Sequence, residues 1–393
     1  MALLGSVGLL LFNGLFNGLV RPASLRHEVV VLYVPEMLMV IFGAGASYDS
    51  SREFPTAKES PLEVWRPPRA IDLFRDSNHW FGDIVARYPR LHPILGRLRE
   101  PQSGRSLEEE LQCILDEAHD NEERTRQLMA ARYYLRDLLY EVSENWRKRV
   151  RFTNYAPLID QILQSRRRAE AAEPTALVTF NYDTLLDRAL ESFGYEPKQI
   201  ENHFQAHSVL KLFKPHGSVD WSRFVEVCRD LKVPRPREAR YSVDQLIANA
   251  HLIVPSEAYR VVSATDPHQI HNFDRPIIPA IAIPTQTKTD DTFEWPPAHR
   301  AYLEELIPKV TKILLVGWQA REAHFAQMLR AGLKKNSITH IMVVGRDHDD
   351  AETIFHHFWR EIDQQPSKKR YLASGGFSEF VVKGEVEEFI QAQ

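Results

Sequence analysis

The stretch Met39-Val40-Ile41-Phe42-Gly43-Ala44-Gly45-Ala46-Ser47-Tyr48-Asp49 decides how this chain folds. Its first four residues are apolar and of strand length, and a glycine turn and a helix start follow. A buried strand running into Gly-x-Gly is how a doubly wound α/β sheet opens a phosphate site. Gly43 allows the tight turn, and Gly45, with no Cβ, lets a pyrophosphate approach the backbone closely. The peptide N–H groups after it, at a helix start, would supply an anion-binding field. The same turn without a ligand is as common, and the third glycine of the usual dinucleotide fingerprint is missing.

Further along, the apolar runs supply the rest of a sheet. Thr175 to Phe180 reads as a strand ending at Asn181-Tyr182-Asp183, followed by a helix from Thr184 to Phe193 that Gly194 stops. Leu210 to Phe213 is another strand, ending at His216-Gly217-Ser218. Ile277 to Ile283, Ile313 to Val316 and Ile341 to Val344 are further strand-length runs, the last one preceded by a helix from Glu322 to Leu333. Strands alternating with helices predict an α/β fold with a Rossmann-like parallel sheet. In such sheets ligands gather outside the carboxyl ends of the strands. The Gly43 turn, Asn181, His216 and Gly317 would all sit there, and that coincidence argues for one shared site.

Between the first two strands the pattern changes. Residues 52–69 are rich in proline and read as an irregular loop over the glycine turn. Leu107, Leu111, Ile114, Leu115 and Ala118, then Leu135, Leu138, Leu139 and Val142, recur at helical spacing, and Ser106 with Glu109 forms a capping box. Residues 71–174 are therefore expected to be a helical insertion, with 37–70 and 175–393 forming one Rossmann-like domain. The region 222–276 is mixed and punctuated by proline, and no architecture follows from it.

Composition narrows the function classes. The 393 residues exceed one ordinary core, and 44% hydrophobic with 26% charged residues is the balance of a folded protein. A net charge of −4 gives no general attraction to nucleic acid or to anionic membranes. Basic runs such as Arg147-Lys148-Arg149 and Arg166-Arg167-Arg168 read as solvated helix ends. Two isolated cysteines, Cys113 and Cys228, make neither a disulfide framework nor a Cys-x-x-Cys zinc site, and suit a reducing cytoplasm.

Each candidate site residue has two readings. Asn181 carries a donor and an acceptor and could hold a sugar hydroxyl or a water, or could simply close a turn on its own backbone. Asp183 stands where a helix N-cap belongs. His216 lies between Pro215 and Gly217; it is either a structural histidine or, with an unperturbed pKa of about 6.5, a general base. His203 and His207 share an i, i+4 spacing without a third ligand, and His268 with His271 is no stronger. Asp347, Asp349 and Asp350 could hold a ribose or form a solvated loop. There is no Walker A sequence and no H-E-x-x-H.

Taken in order, Gly43-Ala44-Gly45-Ala46-Ser47, Thr179-Phe180-Asn181-Tyr182-Asp183 and Lys214-Pro215-His216-Gly217-Ser218 resemble the NAD-binding core of the sirtuin-like superfamily. The similarity is greatest to its bacterial antiphage-defence branch, whose later landmarks Pro284-Thr285-Gln286-Thr287-Lys288 and Val316-Gly317-Trp318 resemble. It implies NAD as substrate, with Gly43, Ala44, Gly45 and Ser47 on the pyrophosphate. Thr179, Asp183, Gly217, Ser218 and Gly317 would complete the binding site, and Asn181 and His216 would act on the nicotinamide ribose. The implied reaction is hydrolysis of NAD to nicotinamide and ADP-ribose, in the cytoplasm, with the trigger in self-assembly or in a partner such as a HerA-type ATPase or a short Argonaute. Two departures matter. Two distant cysteines cannot build the zinc module of sirtuin deacylases, and the late motif, usually Gly-Tyr-Ser, is Gly317-Trp318-Gln319 with Glu322 as the nearest acid. Deacylation, ADP-ribose transfer, and NAD sensing without turnover remain the alternatives.

The first 36 residues look foreign to the rest. Leu3 to Val20 is apolar and approaches a membrane span of about 20 residues, yet no Lys or Arg precedes it and Asn13 and Asn17 interrupt it. A signal or anchor, a genuine extension and an upstream start codon compete, and the third is favoured because Met37 or Met39 opens the first strand. Mass spectrometry of the native N-terminus is then expected to find a chain beginning near Met37; an intact Leu3–Val20 segment would refute this.

Overall fold

The computed structural model describes residues 36–53, 65–76, 79–101, 104–168, 173–196, 199–200, 203–227, 243–262, 276–285, 293–363 and 369–392. The apolar N-terminal stretch, Cys228, His268, His271 and Gln286 to Lys288 lie outside them.

The decisive stretch forms β1 (Met37–Phe42) and α1 (Ala44–Tyr48). Helices α2 (Phe81–Val85), α3 (His92–Arg99), α4 (Leu107–Ala118), α5 (Glu122–Val150) and α6 (Tyr155–Arg168) follow. The Ser106–Glu109 capping box is present, and the Asn121 side chain caps α5. The chain continues through β2 (Thr175–Thr179), α7 (Leu185–Glu191), β3 (Leu210–Phe213), β4 (Gly217–Val227), α8 (Val243–Ala248), β5 (Ile253–Val261) and β6 (Ile277–Ile281). It then forms α9 (Pro297–Leu306), β7 (Val310–Val316), α10 (Ala323–Gly332), β8 (His340–Val344) and α11 (His348–Ile362). Last come β9 (Lys369–Ala373), α12 (Gly376–Lys383) and α13 (Glu385–Gln391).

Six strands make one parallel sheet in the order β3-β2-β1-β7-β8-β9. Counting only these strands, the order is 3-2-1-4-5-6, the doubly wound Rossmann order, whose switch point lies between β1 and β7. Val40 at the centre is opposite Leu177 of β2 and Leu314 of β7. Both faces of β1 are buried. Met37, Met39 and Ile41 face a core built with α9, α10 and α11; Leu38, Val40 and Phe42 face one built with α6, α7, α12 and α13. A sheet covered on both faces explains why its strands read as continuous apolar runs.

A third core joins α2 to α5 with a separate antiparallel sheet ordered β5-β4-β6. Two expectations change here. The run Ile277 to Ile283 supplies β6 (Ile277–Ile281) of this small sheet and not a strand of the parallel one. Pro279 gives the reason: it has no N–H to donate, which an edge strand tolerates and a central parallel strand does not. The helices expected as a single insertion divide between two cores, because α6 and the end of α5, through Trp146 and Val150, cover the parallel sheet. No helix among the described residues is long and apolar enough to cross a membrane.

At the switch point two turns meet backbone to backbone. The Gly43 N–H donates to Val316 O at 3.1 Å and the Gly45 N–H to Gly317 O at 3.1 Å. Gly317 has φ +60°, and a Cβ there would lie 2.2 Å from the Ala46 nitrogen. Gly317→Ala therefore combines a left-handed residue with a backbone clash and is expected to cost about 2–4 kcal/mol. A denaturant midpoint equal to that of the parent chain would refute this packing.

Candidate active site

Four groups converge where β1 and β2 end. Beyond β2 the Asn181 N–H donates to Thr179 Oγ1 at 3.1 Å, which turns the Asn181 side chain toward the glycine turn. Its Nδ2 lies 2.9 Å from Ser47 Oγ and 3.2 Å from the Tyr155 hydroxyl, and those two hydroxyls are 2.9 Å apart. Tyr155 opens α6, fully buried, with its ring edge-on to Phe42 and to Phe377, both at 5.4 Å. Asp183 accepts from the Leu185 N–H at 2.9 Å, and its carboxyl also takes a hydrogen bond from Ser47. Burial pushes that carboxyl above its ordinary range, against the pull of Ser47, Leu185 and the Lys214 charge. The helix opens one residue later than expected, with Thr184 at the N-cap position and Asp183 capping from the residue before it.

His216 stands at the end of the neighbouring strand. Its Nδ1 lies 3.1 Å from Phe180 O, and a carbonyl can only accept, so Nδ1 carries a proton. The ring packs edge-on to Phe180 at 4.9 Å and stacks with Tyr182 at 5.6 Å and Phe293 at 6.4 Å. Beneath it Lys214, 0% exposed, donates to Asp183 O at 2.7 Å, Asp187 Oδ2 at 2.8 Å and Ser218 Oγ at 2.8 Å. This buried ammonium ties the loop after β3 to the loop after β2. Asn181 and His216 are themselves 6% and 5% exposed, so both stand at the rim of the core.

Several expected ligand contacts are instead internal. Ser218 is fully buried, accepts from Lys214 and faces Tyr182 O, so its hydroxyl belongs to the scaffold. Gly217, at φ +75°, is required by β6, because a Cβ would lie 1.9 Å from Ala280 O. Thr179 caps the Asn181 N–H. The anion-binding field expected of the glycine turn is reduced: Gly45 and Ala46 donate to Gly317 O and Gly43 O, and α1 has only five residues. The space left by Gly43 and Gly45 is filled by Gly317 and Trp318. Ala44, Gly45 and Gly317 are half-buried and form the lip of the switch-point crevice. Trp318 stacks on Phe180 at 5.4 Å and donates its indole N–H to Glu322. Among the described residues, the buried hydroxyls of Tyr182 and Thr285 have no protein partner and suit a polar ligand.

Residues 175–365 match the family model described as SIR2-like domain. The chain carries a SIR2-like domain. It takes in β2 through α11, with Asn181, His216 and Gly317, while β1, the Gly43 turn, Ser47 and Tyr155 lie outside the matched segment. Members of the SIR2-like family are NAD-utilising enzymes, and NAD binding or use is what the match implies here. No curated protein matches the chain.

Three other candidate residues, His203, His207 and Asp347, are engaged elsewhere. His203 lies on Tyr195, its Nδ1 2.7 Å from the phenol, whereas His207 Nδ1 accepts from the Val209 and Leu210 N–H groups. Asp347 caps α11 by accepting from the Asp350 N–H at 2.9 Å. Burial pushes His203 down to about 3, against the pull of Asp187, and His299 down to about 4. Both rings stay neutral in the folded chain while the unfolded chain takes up protons below pH 6.5. Stability should therefore fall as pH drops from about 6.5 toward 4. His203→Gln is expected to make that acid limb shallower, as followed by urea midpoints; parallel limbs would refute the assignment.

Proposed function

We propose that this chain is an NAD glycohydrolase. The bond from His216 Nδ1 to Phe180 O carries the reading, because it fixes the ring at the carboxyl edge of the sheet and makes Nε2 the nitrogen that can take up a proton in the neutral ring. In the reaction the C1′–N bond of the nicotinamide ribose breaks and nicotinamide leaves with the bonding pair. A water oxygen bonds to C1′, and the water proton passes to His216 Nε2 and then to solvent, leaving ADP-ribose. The transition state is oxocarbenium-like, so the protein has to orient water and ribose and accept one proton. Asn181 orients, and His216 accepts. The crevice lip at Ala44, Gly45 and Gly317 would take the pyrophosphate.

The resemblance to the antiphage branch supports a role in which NAD depletion follows infection, with activation by self-assembly or by a partner such as a HerA-type ATPase or a short Argonaute. A pull-down from the native host that recovers no partner, combined with full activity of the isolated chain, would count against a partner.

The direct test is nicotinamide release from NAD by the purified chain, with and without its genomic neighbour. Asn181→Ala and His216→Ala are each expected to lower kcat/KM by about a hundredfold or more. Activity surviving both changes would place the chemistry elsewhere, and tight NAD binding without release under any condition would make the chain a sensor.

A further inference from the structure

The triangle of Ser47, Tyr155 and Asn181 settles which way the Asn181 amide faces. Four polar contacts need a hydrogen each: Asn181 to Ser47, Asn181 to Tyr155, Ser47 to Tyr155 and Ser47 to Asp183. With the amide NH₂ turned inward there are two amide hydrogens, one from Tyr155 and one from Ser47, and every contact is served. Tyr155 then donates to Ser47, and Ser47 donates to Asp183. With the amide flipped only the two hydroxyl hydrogens remain, or three if Asp183 is protonated, and a contact between buried oxygens is left bare. Asn181 is thus held as a pure acceptor: both its donors are engaged, and Oδ1 is the side-chain atom left for a ligand.

We propose that Tyr155 is a positioning residue that, with Ser47, fixes the Asn181 amide so that Oδ1 receives a hydrogen from a hydroxyl-bearing ligand group, such as a ribose hydroxyl or the attacking water. This rests on the NAD-cleavage reading for the identity of the ligand, but not for the amide geometry. Neither Tyr155 nor Ser47 belongs to the segment that matches the SIR2-like domain. Tyr155 keeps its place through ring contacts with Phe42 and Phe377, which Tyr155→Phe preserves.

The experiment has two arms on the full chain. Selective nitrogen-15 labelling of asparagine, with the Asn181 side-chain signal assigned by its loss in Asn181→Ala, reads the amide directly. Slow hydrogen exchange of that NH₂ is expected in the parent chain, and acceleration by about tenfold or more in Tyr155→Phe. In the kinetic arm, Tyr155→Phe is expected to lower kcat for nicotinamide release by about ten- to a hundredfold with KM changed less than about threefold. A thermal midpoint within a few degrees of the parent separates positioning from unfolding. Ser47→Ala should reproduce the exchange result, and it decides the matter if Tyr155→Phe does not fold. Parent-like exchange in both variants overturns the proposal, as does parent-like kcat in Tyr155→Phe. If the parent chain releases no nicotinamide, the NAD-cleavage reading falls and the exchange arm alone judges Tyr155.

Discussion

The backbones that end β1 and β7 pass each other with no side chain between them, and the carboxyl edge of the sheet depends on this contact. Gly43 and Gly45 lie against Gly317, and a Cβ on any of the three would fall within 3 Å of backbone atoms of the other turn. In a doubly wound sheet the two halves part at this point, leaving a crevice. Here the floor of the crevice is closed by the paired turns, and their outer surface remains as a lip. The contact also fixes α1 at its first turn, which places Ser47 under Asn181. The Asn181 amide is thereby oriented by a backbone packing event two strands away.

Around this point the chain buries charge to hold loops that have few apolar residues of their own. Lys214 reaches into the turn after β2 and meets Asp187, the Asp183 carbonyl and Ser218. Glu294, also buried, receives Arg132 from α5 and Arg223 from β4. Buried ion pairs of this kind add little net stability against an apolar filling of equal volume. Their directionality gives a single arrangement of the segments they join, and the segments joined here carry His216 and Phe293. The site is thus braced by polar contacts on the side of the helical layer and by glycine packing on the side of the switch point.

Much of this was legible in the chain because parallel strands buried on both faces leave uninterrupted apolar runs, and the residues at their ends are short, polar or glycine. Phe42-Gly43, Thr179-Phe180-Asn181 and Val316-Gly317 announce three such ends. The small antiparallel sheet was not legible as a whole, since β4 reads GSVDWSRFVEV without clean alternation. Pro279 was the signal that could have moved β6 out of the parallel sheet. Gly217 lies against β6 and Ser218 against Lys214, contacts that were not legible because sequence cannot distinguish a glycine that admits a ligand from one that admits a strand. Tyr155 carries no motif at all. It meets Ser47 across 108 residues and Asn181 across 26, and only the folding of α6 onto β1 and β2 brings the three together.

The matched SIR2-like segment and the physical sheet are not the same object. In space β1 is the rung between β2 and β7, yet in sequence it precedes the matched segment by more than a hundred residues. β9, the outermost strand, follows that segment. Of the parallel sheet, the segment alone would hold two ribbons, β3-β2 and β7-β8, each with unpaired ladder edges facing a strand-wide gap. What heredity reads as a module is, mechanically, a clasp that closes only when a distant piece of the same chain is threaded through its middle.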